Sequence, residues 1–286
     1  MLKKGCGRVH LVQHPARIGT ALAAVLAAVA WGCSPGLWLP GGRLRPEVYL
    51  HGSPSAPTVG LTFDDGPNGR CTEAVLDALR AVGAPATFFV VGENVAGGLN
   101  DALLGRMVRE GHMLGVHAYT HRVRPLFLHA LVAEELRASG AAVDAALRRA
   151  GVADPPPVRL YRPPFGLVTR AAARAAAEAG LSIVEWTISV HDWRRGRRAR
   201  DVADAILARV QAGDVIVLHD GDGTHQRSAE RCVDRPLAAD AVRLIVPALA
   251  ARGLRPAPLA EVLGLPATLH DASLSRLDLT GGAGGH

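Results

Sequence analysis

The chain has 286 residues, enough for one large domain with a sizeable core, and 49% of them are apolar. Its net charge of +6 does not indicate a nucleic-acid partner, because four positive charges lie in an N-terminal stretch without acidic residues. Without Lys3, Lys4, Arg8 and Arg17, the net charge falls to +2. The remaining basic cluster, residues 194–200, predicts a solvated loop, with contact to an anionic substrate or surface as the alternative.

The N-terminal segment is typical of an export signal. A basic start precedes an apolar run over residues 18–32, which is long for the apolar core of a signal peptide and short for a membrane-spanning helix. We interpret residues 1–33 as a signal peptide or membrane anchor, with cleavage, lipidation and retention all open. The expected location is extracellular, periplasmic or in the cell envelope, with membrane contact only through the N-terminus.

The rest of the chain divides by composition. Residues 34–56 are rich in Gly and Pro and predict a linker, residues 57–266 predict a folded domain, and residues 267–286 predict a disordered tail. Within the domain, apolar strands alternate with amphipathic helices, which is typical of a parallel α/β sheet or barrel. The predicted strands are Val59–Phe63, Ala86–Val91, Met113–His117, Leu160–Tyr161, Ile183–Ile188 and Val215–His219; the predicted helices are Thr72–Val82, Ala102–Glu110, His129–Ala150, Arg170–Ala179, Val202–Val210 and Ala238–Ala251.

Polar residues that could take part in catalysis or bind a metal follow the C-terminal ends of these predicted strands. In parallel α/β barrels this rim carries the active site. The sequence therefore predicts that the rim brings together Asp64, Asp65, His117, His121, Arg162, Asp192 and His219.

One carboxylate and two histidines among them form a ligand set for a metal ion. Asp65, His117 and His121 would supply one oxygen and two nitrogens and leave a position for water, as in hydrolytic zinc sites. Metalloproteases with the same histidine spacing place a glutamate base after the first histidine, but this chain has Ala118 there. Asp64 is therefore the expected general base.

Two further segments supply candidates for orientation and acid catalysis. Arg162 follows a strand and can hold a neighbouring carboxylate, and the prolines after it fix the backbone near Phe165. His219 ends a buried strand and could protonate a leaving amine. Asp192 could orient either Arg162 or His219, and Trp193 could wall the cleft.

With these residues in view, the chain resembles the polysaccharide deacetylases of the NodB-homology group, carbohydrate esterase family 4. The resemblance extends from about Val59 to Leu265, with the motifs in family order. It implies a distorted (β/α) barrel, a catalytic domain over residues 57–266, and a metal site at the C-terminal rim of the strands. It also implies one divalent ion, Zn²⁺ or alternatively Co²⁺ or a similar ion.

The resemblance also implies a role for each residue of the five motifs. Within the implied machinery, the roles are base (Asp64), metal ligands (Asp65, His117, His121), orientation of the base (Arg162), oxyanion binding through a backbone N–H (Phe165), acetyl pocket (Leu218) and acid (His219), while Asp192 and Trp193 close the fourth motif. Two positions depart from the family pattern. Ala118 replaces a frequent Ser or Thr, and Ser189 replaces an Asp, which leaves open how the histidines are oriented.

The expected reaction is removal of acetyl from an N-acetylated amino-sugar polymer. Peptidoglycan, chitin oligomers and exopolysaccharide are all open as substrates. Alternatives are an amidohydrolase acting on a small-molecule or lipid-linked sugar, a glycoside hydrolase using Asp64 and Asp65, and an inactive glycan-binding module. A glycoside hydrolase would need its two carboxyls about 5–9 Å apart across a sugar, which adjacent residues at one metal do not favour.

The two cysteines of the domain follow rim strands. Cys71 comes after the Asp64–Asp65 turn and Cys232 after His219. The first and last strands of a barrel approach each other, and an exported protein meets an oxidising compartment. A disulfide between Cys71 and Cys232 is therefore proposed from the sequence, with two free thiols as the alternative.

Overall fold

Strands and helices alternate along the described chain, which covers residues 48–222, 232 and 236–265 of a computed structural model. The strands are β1 (Val48–Tyr49), β2 (Thr58–Asp64), β3 (Thr87–Val90), β4 (Met113–Val116), β5 (Leu160–Tyr161), β6 (Ser182–Val184), β7 (Ile188–Ser189), β8 (Val215–His219) and β9 (Arg255–Ala257). The helices are α1 (Arg70–Val82), α2 (Gly92–Ala96), α3 (Asp101–Arg109), α4 (His129–Arg149), α5 (Arg170–Glu178), α6 (Ala199–Leu207), α7 (Pro236–Ala250) and α8 (Leu259–Val262).

The predicted export segment 1–33 and tail 267–286 lie outside the described residues. Within the described ranges, no helix combines the length and the apolar character that crossing a membrane requires.

Every strand pair in the sheet is parallel. The strand order is β1-β6-β5-β4-β3-β2-β8-β7, and β9 pairs with the start of β2. The C-terminal ends of the strands therefore point the same way. This arrangement collects the residues that follow each strand at one rim of the sheet.

The sheet must curl, because the chain connects its two ends through a very short segment. Strand β6 is second in the order and β7 is last, so a flat sheet would separate them by about 29 Å at about 4.8 Å per strand. From Val184 to Ile188 the chain can span at most about 14 Å. The predicted fold class, an α/β fold built as a distorted barrel, is confirmed.

Side chains of each strand alternate between two packed regions. Leu61, Phe63 and Leu218 belong to the large cluster shared with the helices, whereas Phe89 and Val215 pack in a smaller cluster with α8. All seven residues of β2 are buried, as expected for a strand covered on both faces. The polar ends of these strands are therefore held by a rigid layer.

A glycine on β4 makes room for Phe89, which belongs to the smaller cluster. A Cβ added to Gly115 on β4 would come within 2.5 Å of the Phe89 ring. The Arg162 guanidinium lies over the same ring, 4.0 Å from its centroid. This close approach places the buried guanidinium of Arg162 against the smaller cluster.

Three parts of the fold differ from the elements predicted from sequence. The predicted strand Ile183–Ile188 is divided, because residues 185–187 turn between the two ends of the curled sheet. Part of the predicted linker 34–56 is instead a strand: Val48–Tyr49 pairs with β6, so its backbone is satisfied by the sheet. Sequence patterns also missed the short elements α2, α8 and β9, which have too few residues to show a period.

Candidate active site

The sequence-predicted rim residues do converge in the structure. Asp64 and His219 end β2 and β8 and are paired across those neighbouring strands. Asp65 follows directly, while His117, Arg162 and Asp192 lie just beyond β4, β5 and β7. The site therefore draws on five different strands, as in barrel enzymes generally.

Three of these residues form a cluster that could hold a metal ion. The Nε2 atoms of His117 and His121 lie 3.4 Å and 3.1 Å from Oδ1 of Asp65. One ligand atom from each residue lies within 4.8 Å of the other two. The set contains one carboxylate oxygen and two imidazole nitrogens.

The hydrogen-bonding pattern of the cluster fits a cation. The Nδ1 atom of His117 lies 2.7 Å from the Arg162 carbonyl oxygen, which can only accept, so Nδ1 carries the proton. In the neutral ring, Nε2 then presents a lone pair toward the carboxylate of Asp65. The buried Oδ1 atom of Asp65 has no hydrogen-bond partner among the described residues. Hydrogen-bond acceptors that converge in this way repel one another unless a positive charge lies between them.

The electrostatic field within the Asp65–His117–His121 cluster attracts a cation. Burial by itself would lower the pKa of the His117 imidazole, but the carboxylates of Asp64 and Asp65 raise it above its usual value. For Asp65, burial opposes ionisation, yet the neighbouring histidines lower the pKa well below its usual range. Asp65 thus contributes a negative charge to the cluster that could hold a metal ion.

Asp64 is held by a fully buried arginine. The Nη1 atom of Arg162 donates to Oδ1 of Asp64 at 2.7 Å and to the Thr62 hydroxyl at 2.8 Å. The same guanidinium donates from Nε and Nη2 to the carbonyls of Val184 and Glu185, at 2.9 and 3.0 Å. Four hydrogen bonds fix the planar guanidinium group, so Arg162 holds the Asp64 carboxylate in one orientation.

His219 is held by Asp192. The two carboxylate oxygens of Asp192 accept from the backbone N–H and from Nδ1 of His219, both at 2.8 Å. Of the two roles expected for Asp192, the structure therefore supports orientation of His219. Although burial alone would lower the pKa of the imidazole, Asp192 raises it to about 9. His219 is accordingly protonated near neutrality and can donate from Nε2.

Strained backbone is concentrated at this rim. Among the described residues, the non-glycine residues with positive φ are Asp65 (76°), Ala118 (62°), His121 (50°), Phe165 (62°) and His191 (54°). All lie in loops that follow the strands. Such conformations persist only where surrounding contacts enforce them, and they cluster at functional sites.

Phe165 and Trp193, the residues predicted to bind the oxyanion and to wall the cleft, have different surroundings. The Phe165 ring lies against His121, with 4.6 Å between ring centroids, and the turn at Phe165 uses the N–H groups of Gly166 and Leu167 for its own hydrogen bonds. Trp193 is 40% exposed and meets the ring of His191 edge to face. Both lie where a substrate could reach them.

The prediction for Leu218 needs correction. Leu218 is fully buried in the large cluster between sheet and helices, opposite Phe63 of β2. Because side chains alternate along a strand, Leu218 points away from the face that carries His219. Val217, which is paired with Thr62, precedes His219 by two residues. It therefore lies on the same face of β8 as His219.

Two supporting residues were not found from the sequence. The Glu135 carboxylate accepts hydrogen bonds from the loop between His117 and His121, and the Asn94 amide donates to the backbone oxygen of Asp65 at 3.1 Å. Glu135 lies in the middle of a helix, next to another glutamate, where an acidic residue usually contacts solvent. Only a three-dimensional contact reveals either role.

The disulfide proposed from the sequence is present. Cys71, near the start of α1, is bonded to Cys232, and their Cα atoms are 5.0 Å apart. The bond joins the element after the Asp64–Asp65 turn to the segment after His219. This prediction is confirmed.

Known proteins are similar to this chain in sequence and in fold. The family model described as polysaccharide deacetylase matches residues 51–184. A chitooligosaccharide deacetylase of Bradyrhizobium sp. (strain ANU 289) is 36% identical over 210 residues, which cover 72% of this chain and 90% of that protein.

Two solved structures show the same architecture. The Bc1960 peptidoglycan N-acetylglucosamine deacetylase, in complex with 4-naphthalen-1-yl-N-oxidanyl-benzamide, has a TM-score of 0.65 and 25% identity, covering 77% of this chain and 94% of that chain. The family 4 carbohydrate esterase from Streptomyces lividans, in complex with acetate, has a TM-score of 0.58 and 30% identity, covering 70% and 91% respectively.

Fold and site together define a hydrolase of the metal-binding α/β barrel class. With 36% identity over 72% of its length, the chain belongs to the polysaccharide deacetylase family. The resemblance inferred from the sequence motifs is confirmed.

Proposed function

We propose that the chain hydrolyses the N-acetyl amide of an amino-sugar polymer with Asp64 as base and His219 as acid. Family membership supports the reaction class, because its relatives are named as deacetylases of chitooligosaccharides and of peptidoglycan N-acetylglucosamine. The observation that carries the assignment of residues is the pairing of Asp64 with His219 across β2 and β8, beside the Asp65–His117–His121 cluster.

In this proposal, Asp65, His117 and His121 hold one divalent ion. Zn²⁺ fits a set of two imidazoles and one carboxylate, and Co²⁺ or a similar ion suits the same donors. When bound, the ion supplies a Lewis acid for the acetyl carbonyl and lowers the pKa of a coordinated water.

Asp64 accepts the proton of the attacking water. Its carboxylate is placed by the 2.7 Å contact with Arg162, which is itself fixed by three other hydrogen bonds. A base must reach its proton in one defined orientation, and a carboxylate free to rotate would lose part of its effect. Arg162 therefore acts through Asp64.

His219 donates a proton from Nε2 to the departing amine, since an amide does not expel an unprotonated amine anion. Asp192 accepts from Nδ1 and thereby turns Nε2 toward the site. The Phe165 N–H is proposed to stabilise the oxyanion. Trp193 forms the wall of the cleft, and Val217 is a better candidate than Leu218 for the acetyl pocket.

We also propose that the protein is exported. The basic and apolar N-terminal segment supports this, and so does the bond between Cys71 and Cys232, because disulfides persist in oxidising compartments. The glycan is then a polymer outside the cytoplasm: peptidoglycan, a chitin oligomer or exopolysaccharide.

Acetate release from a panel of N-acetylated glycans tests the function. The panel contains peptidoglycan, chitin oligomers, exopolysaccharide and monomeric N-acetylglucosamine, each with and without added Zn²⁺ or Co²⁺. We expect metal-dependent acetate release from at least one polymer and an equal number of new free amines.

The same samples separate the alternatives. New reducing ends without acetate would indicate a glycoside hydrolase, although Asp64 and Asp65 are adjacent residues that contact different partners, Arg162 and His121. Turnover confined to the monomer would indicate a small-molecule amidohydrolase. Binding without any turnover would indicate an inactive glycan-binding module.

A further inference from the structure

The loop that joins the two metal histidines is held from outside by one carboxylate. We propose that Glu135, on helix α4, is a positioning residue that sets the geometry of His117 and His121 for metal binding. This inference rests on the proposed metal site. It adds a residue that does not touch the ion or the substrate.

Glu135 accepts three hydrogen bonds from this loop. Its Oε2 atom accepts from the backbone N–H groups of Tyr119 and Thr120, both at 2.8 Å. Its Oε1 atom accepts from the Thr120 hydroxyl at 2.7 Å. Hydrogen bonds to an ionised acceptor are among the stronger ones in proteins, and all three here act on adjacent residues of the loop.

Backbone N–H groups hold the carbonyl groups of the same loop. The N–H groups of Gly92 and Glu93, at the start of α2, donate to the carbonyls of Ala118 and Tyr119 at 3.0 and 2.9 Å. A Cβ on Gly92 would come within 2.9 Å of the Tyr119 Cα, so the two segments are in close contact. The loop is therefore clamped, with its carbonyls on α2 and its N–H groups on Glu135.

The clamp is needed because the loop is strained at both ends. Ala118 and His121 have φ values of 62° and 50°, a region that non-glycine residues seldom adopt. His121 is itself a proposed ligand, and Ala118 directly follows the other one. Ala118 has no hydroxyl with which to fasten the loop locally. Without Glu135, two N–H groups would lose their acceptor and the loop would be free to relax toward unstrained backbone.

Relaxation of the loop would separate the two imidazoles. Their Nε2 atoms reach the same oxygen of Asp65 only while His121 keeps its present backbone conformation. A ligand set assembled before the ion arrives binds more tightly than one that must be ordered on binding. Glu135 should therefore affect the affinity for the metal more than the stability of the metal-free domain.

The test compares Glu135→Ala and Glu135→Gln with Glu134→Ala. Glu134 is the adjacent residue on the same helix, but it is exposed and pairs with Arg137 on the same surface. The readouts are the Zn²⁺ dissociation constant, measured by competition with a chromophoric chelator, and the melting temperature of the metal-free protein. We expect Glu135→Ala to weaken binding by about 10–100-fold, the usual effect of removing an outer partner of a ligand.

The glutamine variant keeps an oxygen that can accept from both N–H groups, so it should recover most of the affinity. Glu134→Ala should bind as the unaltered protein does. Folded Glu135→Ala with unchanged affinity would overturn the positioning role while leaving the metal site intact. Failure of the unaltered protein to bind any divalent ion would instead overturn the metal site, and the clamp with it.

If Glu135→Ala does not fold, Thr120→Val decides the question. That change removes one of the three hydrogen bonds from the loop side and keeps the buried volume similar. A smaller but measurable loss of Zn²⁺ affinity is expected. An affinity equal to that of the unaltered protein would overturn the proposal.

Discussion

The two halves of the site are built in contrasting ways. The proposed base and acid, Asp64 and His219, end two adjacent strands that are in register with each other, and each is held by a charged side chain. The proposed metal-binding half uses Asp65 and His121, both with positive φ, and is held largely by contacts with backbone groups.

This difference follows from what each half has to achieve. A base and an acid must stand apart on either side of a reacting group, and neighbouring parallel strands provide a fixed separation of about 4.8 Å. Metal ligands must instead converge to about 2 Å from one point. Regular strands do not bring side chains so close, so the chain turns sharply after each strand and other elements stabilise the turns.

The first prediction separates the two halves by removing the ligands. A double variant, His117→Ala with His121→Ala, should bind no metal and show no turnover, because Asp65 alone cannot hold zinc. Elemental analysis and acetate release measure these outcomes. His129→Ala is the matched control, since this histidine pairs with Glu178 on the surface. Full metal occupancy in the double variant would contradict the ligand assignment.

The second prediction alters the proton-transfer half alone. Asp64→Asn keeps the shape of the side chain but cannot accept the proton of water, so turnover should fall by about 10²–10⁴-fold. Metal content should stay at the level of the unaltered protein, because Asp64 is not among the clustered ligands. Asp240→Asn, at an exposed surface ion pair, is the control. Near-normal turnover of Asp64→Asn would assign the base to another residue.

Sequence alone could predict which residues meet at the rim more completely than it could predict the contacts that hold the loops beyond the strands. Alternating apolar strands and helices fix the parallel sheet, and residues that follow its strands must meet at one rim. That reasoning located Asp64, Arg162 and His219. It could not show that Glu135 reaches the histidine loop, because the contact joins residues whose relation depends on how α4 packs.

The error at Leu218 has a related cause. The family resemblance assigned the acetyl pocket to Leu218, next to His219 in the sequence, whereas the period of a strand places successive side chains on opposite faces. Leu218 therefore belongs to the packed layer beneath the helices. The linker was misjudged for a similar reason, since two residues, Val48 and Tyr49, are too few to show a pattern before they pair with β6.

The third prediction tests whether His219 acts as an acid. His219→Ala should retain metal and lose most turnover on an N-acetylated sugar, where the amine must be protonated to depart. The loss should be smaller on an activated acetate ester, whose leaving group departs without a proton. Rates on both substrates under the same metal loading make the comparison. Equal losses on amide and ester would indicate a structural role instead.

The last prediction concerns Asp192 and the alkaline limit of activity, and its effect is the smallest. Against the effect of burial, Asp192 raises the pKa of His219 to about 9, so the imidazole carries the proton needed for catalysis below that pH and loses it as pH rises through it. Asp192→Asn removes the raising charge but keeps an oxygen that can accept from Nδ1. The alkaline limb of kcat/KM should therefore move to lower pH, while metal affinity and activity on the activated ester change little. The same sign applies to stability: the ion pair contributes fully below the ordinary pKa of 6.5 and is lost as pH rises through about 9. An alkaline limb that does not move would mean that another group sets it, and Asp192 would then only support the local backbone.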